Sequence, residues 1–230
     1  MNVDVNIAEI EKRILYVFTN KNFIKCALTH SSYVNELKIN KWENYQRLEF
    51  LGDAVLELVS SEFLYEGNSV MSEGKMSKVR ASMVCEPALA FCAKKIKLGE
   101  LILLGKGEEA GGGRERNSIL SDVFEAIIGA IYLDGGLEEA RKFIHKFVLD
   151  DVEENQLFVD SKSILQERIQ ADSDKILRYE LVSETGPEHD KTFEVAVYIN
   201  DERMATAIGH NKKDAEQQAA YLVLKKMKEE

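Results

Sequence analysis

At 230 residues with 45% hydrophobic and 30% charged side chains, the chain has the makings of one or two water-soluble domains. No apolar run approaches the ~20 residues that cross a bilayer, the polar start from Met1 to Asn6 is unlike a signal or transit peptide, and three cysteines without Cys-x-x-Cys spacing read as reduced thiols, so a cytoplasmic protein with no membrane partner is expected. A formal net charge of −10, with acids outnumbering bases on both sides of residue 155, speaks against nucleic acid by composition and leaves such contact to local clusters.

In chain order, Ile7, Ile10, Ile14, Leu15 and Phe18 recur at helical spacing and predict an amphipathic helix over 7–19. A second begins at Phe23 and ends at Leu28, before Thr29-His30-Ser31-Ser32-Tyr33, where His30 reads as a structural hydrogen-bonding residue. Residues 36–43 are polar and read as a loop. A long helix follows from about Asn44 to about Tyr65, with Leu48, Leu51, Val55, Leu58 and Val59 as its stripe. Glu49 and Asp53 fall on one face of it, among Phe50, Leu51, Ala54 and Val55. A carboxylate in such surroundings has to be paired, hydrogen-bonded or metal-bound to stay ionised. Gly52 between them costs the helix up to about 1 kcal/mol relative to Ala, which points to a close packing contact or a ligand there.

Glu66-Gly67-Asn68 reads as a turn, Ser72 to Ala81 as the start of a helix with Met76, Val79, Met83 and Val84 inward, and Pro87 as the opening of another that reaches Lys97. Gly105 to Arg116 is expected to be a flexible loop; it lacks the preceding strand and the spacing of a nucleotide-binding glycine motif. Asn117 or Ser118 is the expected cap of the next helix, which runs to about Leu133 and carries Asp122 and Glu125 three apart on one face. Two apolar helices that each hold a carboxylate pair can gather four oxygen ligands, a hard set suited to Mg²⁺ or Mn²⁺. The plainer alternative is that these acids cap helices or pair with Arg47, Arg80, Arg114 or Arg116. No His lies three or four residues from any of the four, which argues against zinc or a di-iron bundle. After a break at Asp134-Gly135-Gly136, a last helix from Leu137 to Val152 completes an all-α unit over 1–152.

A polar linker over 153–159 precedes a change of pattern. Asp160 or Ser161 opens a helix to about Ala171, period-two alternation marks strands near 179–183, 193–199 and 203–208, and Asn211 begins a closing helix. The second domain, 160–230, is therefore α-β-β-β-α, and the fold class is α+β.

The eleven residues Gln46-Arg47-Leu48-Glu49-Phe50-Leu51-Gly52-Asp53-Ala54-Val55-Leu56 closely resemble the signature segment of the ribonuclease III family. Asp122-Val123-Phe124-Glu125-Ala126 resembles that family's second acidic motif, and Ala27 to His30 its Ala-Leu-Thr-His segment. The α-β-β-β-α order, with Gly186-Pro187-Glu188-His189 and Lys212-Lys213-Asp214-Ala215-Glu216, resembles a double-stranded-RNA-binding domain. Such a module reads A-form shape over ~16 base pairs. Gln166 and Gln170 can reach 2′-hydroxyls, His189 the next groove, and Lys212 and Lys213 at a helix N-terminus an RNA phosphate.

The resemblance implies an endoribonuclease that hydrolyses both strands of duplex RNA, including ribosomal and other RNA precursors. It implies 5′-phosphate and 3′-hydroxyl ends, short 3′ overhangs, and a homodimer in which each subunit cuts one strand. Glu49, Asp53, Asp122 and Glu125 are then the ligands of Mg²⁺, with Mn²⁺ as substitute, and Asp53 and Glu125 the weightiest catalytically. The face around Phe50 and Leu51 is the candidate interface. Glu73 matches a family position near the catalytic region, and Arg114 and Arg116 either contact RNA phosphate or pair with acids. Gln46 departs from the family, which often has a carboxylate there; with the quartet intact, normal catalysis is expected. Two other readings remain, a catalytically silent duplex-RNA binder and an acidic helical scaffold for protein.

Overall fold

The computed structural model describes residues 6–38, 43–67, 70–150, 160–171, 175–186, 191–209 and 211–229. The chain divides into two compact units, Met1–Val152 and Glu153–Glu230.

The first unit is helical: α1 (Ile7–Ile14), α2 (Lys21–Ala27), α3 (Ser31–Leu37), α4 (Gln46–Gly67), α5 (Glu73–Met83), α6 (Glu86–Lys95), α7 (Lys106–Ala110), α8 (Asn117–Gly135) and α9 (Leu137–Ile144). Its centre is α8. Val123, Phe124, Ala126, Ile127, Ile128, Ala130 and Ile131 on this helix are all fully buried, as expected of a helix apolar on every side. Around it pack α2, α4, α6 and α9, with Ile24, Leu56, Val59, Leu89, Ala93 and Ile144 in one continuous core.

Several local expectations are corrected. The first helix stops at Ile14, because Leu15 turns into the left-handed region at φ 56°. The backbone beyond it is held by side chains instead: Phe18 N–H donates to Glu11 Oε1 at 2.8 Å, and Thr19 and Asn20 N–H donate to the Asp134 carboxylate at 2.8 Å. The glycine-rich stretch is an ordered segment with α7 and a 3₁₀ turn over Gly113–Glu115. Neither Asn117 nor Ser118 caps α8; Arg116 holds that place without a side-chain bond, and Asn117 Oδ1 accepts from Lys94 Nζ at 2.8 Å. The last helix of the unit loosens into a π-turn over His145–Leu149. His30 has the structural role expected of it: its Nδ1 accepts from Ser32 N–H at 3.1 Å and opens α3.

The second unit comprises α10 (Ser161–Gln170), β1 (Leu177–Thr185), β2 (Thr192–Ile199), β3 (Glu202–Gly209) and α11 (Lys212–Glu229). The strands form an antiparallel sheet in the order β1-β2-β3, with a bulge between Leu181 and Ser183. Leu165 and Ile169 from α10, Val197 and Ile199 from β2, and Ala219, Ala220, Val223 and Leu224 from α11 make its core. One face of the sheet is thereby covered by helices, as an α+β layer requires. The residues expected to form the linker lie within 151–159, outside the described residues. No described helix is long and apolar enough to cross a membrane.

Candidate active site

The site begins with two glycines. A Cβ built on Gly52 would meet the Glu125 backbone, with the carbonyl carbon at 2.6 Å, its oxygen nearer still, and Gly129 N at 2.9 Å. A Cβ on Gly129 would in turn meet the backbone of Leu48 and Gly52, at 3.1 Å from Leu48 C and from Gly52 N. Only hydrogen at both positions lets α4 and α8 touch backbone to backbone. This is the close contact that Gly52 signals in the sequence, and it brings the turn bearing Glu49 and Asp53 against the turn bearing Asp122 and Glu125.

The electrostatics follow from that crossing. Burial pushes the Glu125 carboxyl up to about 8, with Asp53, Asp122 and Glu49 adding to the shift. Glu49 is pushed up to about 7 by burial, then by Asp122 and Asp53. Asp122 is raised by burial and partly relieved by hydrogen bonds from Tyr45 and Ser121. Asp53 is the exposed member. Among the described residues none of the four forms an ion pair. Of the four arginines weighed as their partners, three pair with other acids: Arg80 with Glu57 at 2.6 Å, Arg114 with Glu109 at 2.5 Å, and Arg116 with Glu108; Arg47 is exposed near the start of α4. Arg114 is further held by the carbonyls of Gly99 at 2.8 Å and Ile102 at 3.0 Å, so it braces the 98–116 segment.

Like charges in a half-buried site lose the hydration that would tolerate them. A divalent cation would relieve that repulsion. All donors are carboxylate oxygens, the chemistry that Mg²⁺ and Mn²⁺ prefer, so these residues fit such an ion. Among the described residues no three acidic, histidine or cysteine side chains close around one point.

Tyr45 was not legible as a site residue in the sequence. Its hydroxyl donates to Asp122 Oδ2 at 3.0 Å, and burial, reinforced by Asp122, holds its pKa far above the usual tyrosine range. It therefore stays a donor. An aromatic just before an acidic helix is the only sequence signal, and spacing alone cannot connect residue 45 to residue 122.

Other expected residues fall outside this cluster. Gln46 is exposed at the first position of α4, its N–H donating to Asn44 Oδ1 at 3.0 Å. Glu73 is exposed at the start of α5, where its Oε1 accepts from Ser77 Oγ at 3.0 Å, in a cleft with Tyr65 and Arg80. In the second unit, Gln166 and Gln170 lie exposed on α10, flanking the stripe of buried Leu165 and Ile169. Lys212 and Lys213 are exposed in the first turn of α11, and Asn211 Oδ1 accepts from Asp214 N–H at 2.9 Å to open that helix. His189 lies outside the described residues.

A helical unit with an acidic crossing, joined to an α-β-β-β-α module with lysines at its last helix, is the build of a protein that acts on duplex RNA. Comparison with known proteins agrees. Residues 20–152 match the Ribonuclease-III-like family and residues 161–227 the double-stranded RNA binding motif. The chain is 48% identical over 221 residues to Ribonuclease 3 of Caldanaerobacter subterraneus subsp. tengcongensis, covering 95% of this chain and 96% of that protein. It is 47% identical over 221 residues to Ribonuclease 3 of Bacillus licheniformis, covering 95% and 89%. A solved nuclease domain of ribonuclease III from Campylobacter jejuni, described for flexibility in a region involved in dimer formation, superposes with a TM-score of 0.58. That domain shares 44% identity with this chain, the match covering 65% of this chain and 98% of the domain. The chain belongs to the ribonuclease III family, the double-stranded-RNA endoribonucleases.

Proposed function

We propose that the chain hydrolyses both strands of duplex RNA with a divalent metal ion held by Glu49, Asp53, Asp122 and Glu125, leaving 5′-phosphate and 3′-hydroxyl ends with short 3′ overhangs. The observation that carries this reading is the backbone contact of α4 with α8, which brings a carboxylate pair from each helix near enough that their charges raise Glu49 and Glu125, with no ion pair to any of the four among the described residues. Bound Mg²⁺ or Mn²⁺ supplies the positive charge that offsets these acids and the charge developing on the phosphodiester. The chain's own part is to fix the oxygens: backbone contact at Gly52 and Gly129 sets the spacing of the pairs, and the Tyr45 hydroxyl holds Asp122. Asp53 is the member of the set exposed to solvent. No histidine or thiol is needed as base or nucleophile, so water is the attacking group.

Residues 1–152 are the proposed catalytic domain, 153–159 the linker and 160–230 the duplex-binding domain. Within the last, Gln166 and Gln170 contact 2′-hydroxyls and Lys212 and Lys213 a phosphate, a shape-reading mode that is indifferent to sequence. A homodimer through α4 completes the reading. Phe50 (80% exposed), Leu58 and Tyr65 form an exposed apolar stripe along that helix, more than solvated positions ordinarily carry. Ribosomal and other RNA precursors with long helices are the substrates that suit such a protein.

The test is incubation of end-labelled duplex RNA with the protein, with and without Mg²⁺, followed by end mapping. Metal-dependent staggered cuts are expected. Duplex binding without cuts in either Mg²⁺ or Mn²⁺ would replace this reading with that of a silent duplex-RNA binder, and a monomeric mass in solution would remove the dimer.

A further inference from the structure

We propose that Tyr45 is a positioning residue of the acidic site, holding the Asp122 carboxylate of α8 from the start of α4. The inference rests on the reading of the quartet as a divalent-metal site. Tyr45 is 5% exposed and lies immediately before α4. Its hydroxyl donates to Asp122 Oδ2 on α8 at 3.0 Å. Its carbonyl accepts from the N–H of Leu48 at 2.8 Å and of Glu49 at 2.9 Å. The same residue thus holds the Asp122 carboxylate through its hydroxyl and starts the helical turn that carries Glu49 through its carbonyl.

Tyr45 is itself braced from behind. Its N–H donates to Thr29 O at 3.0 Å. Its ring packs against the His30 ring, with centroids 5.5 Å apart and planes tilted by 48°. His30 is fixed in turn by Ser32, whose Oγ lies 2.7 Å from Nδ1 and accepts from Gly105 N–H at 2.9 Å. The Thr29–Ser32 segment and the entry to α7 therefore form a rigid backing that reaches the site through one hydroxyl. Repulsion from Glu49 and Glu125 acts to swing the Asp122 carboxylate away, and the hydroxyl opposes that rotation before any ion arrives. Groups that orient a ligand from behind in this way typically alter metal affinity 10–100-fold when removed.

The test is titration of the full chain with Mn²⁺ in the absence of RNA, reading free Mn²⁺ by electron paramagnetic resonance. Tyr45→Phe keeps the ring and its packing, and it is expected to weaken Mn²⁺ binding about 10–100-fold. In an Asp122→Ala background the same change is expected to do almost nothing, because the group it acts through is gone. Replacing Tyr45 by 4-aminophenylalanine, which restores a donor, is expected to recover most of the affinity. Wild-type affinity in Tyr45→Phe, or an undiminished effect on top of Asp122→Ala, would overturn the inference. Absence of Mn²⁺ binding by the wild type is a different result, which removes the metal-site reading and this inference with it. Should Tyr45→Phe fail to fold, the wild type labelled with ¹³C at tyrosine Cζ decides. The Tyr45 resonance should then move with Mg²⁺ occupancy, and a resonance indifferent to saturating Mg²⁺ refutes the role.

Discussion

Replacing Gly52 by Ala tests whether the helix crossing is what builds the site. The added methyl would lie 2.6 Å from the Glu125 carbonyl carbon and 2.9 Å from Gly129 N. Carbon–carbon contacts settle at about 3.5 Å or beyond, so α4 and α8 have to part by roughly 1 Å or more. Neither side can yield by a rotamer change, since every atom met is backbone. Overpacking of this kind costs about 1–3 kcal/mol, offset by the gain of about 1 kcal/mol when Gly becomes Ala inside a helix. A net destabilisation of roughly 0–2 kcal/mol is expected from those two opposing effects. The loss of activity should be far larger. Metal coordination tolerates about ±0.2 Å, and a 1 Å misplacement can reduce rate on the order of 10²-fold. Gly67→Ala is the control, because its Cβ would enter open space at the far end of the same helix. Thermal melts and cleavage of duplex RNA under single-turnover conditions read both effects. A Gly52→Ala protein with unchanged melting temperature and cleavage rate would show that the close approach neither constrains the core nor spaces the carboxylates.

Glu125→Gln should abolish cleavage and leave duplex binding intact in a gel-shift assay; a failure to bind would make Glu125 a structural residue. Stability of the metal-free protein should fall as pH rises from about 4.5 to about 8, because Glu49 and Glu125 are raised from 4.5 to about 7 and about 8 on folding. Between those limits the folded state binds more protons than the unfolded chain, so the stability present below pH 4.5 disappears as the folded-state groups ionise. Urea titrations in a chelator should show this decline, flatter in Glu125→Gln and flatter again with Mg²⁺; equal slopes in wild type and variant would refute the coupling. Lys212→Ala combined with Lys213→Ala should weaken duplex binding without changing melting temperature, and lower the salt dependence of binding by about one unit for each RNA phosphate no longer neutralised. An unchanged salt slope would mean that these lysines are only a solvated helix start.

Glu49, Asp53, Asp122 and Glu125 stand out in the sequence because ionisable residues at helical spacing conflict with the apolar stripes they interrupt. The same conflict marks Gly52 in mid-helix, and period-two alternation separates the second domain from the first. These signals are local, carried by residues within one turn of each other, and a one-dimensional pattern preserves them. The ordered segment over 105–116 was not legible, since glycine content reads as flexibility until Arg114 and Arg116 find Glu109, Glu108 and the carbonyls near residue 100. The early end of α1 was hidden for a similar reason: its replacement hydrogen bonds come from Asp134, more than a hundred residues away.

The sequence by itself marked the long helices, the two-domain order and the four candidate acids, because each depends on periodicity or on a run of contiguous residues. Only the tertiary structure decided that the two acidic turns face one another and that Arg80, Arg114 and Arg116 are engaged elsewhere. It alone brought Tyr45 to Asp122, since a contact across seventy-seven positions depends on how closely two backbones can pack, and at Gly52 and Gly129 the distance is set by the absence of a side chain.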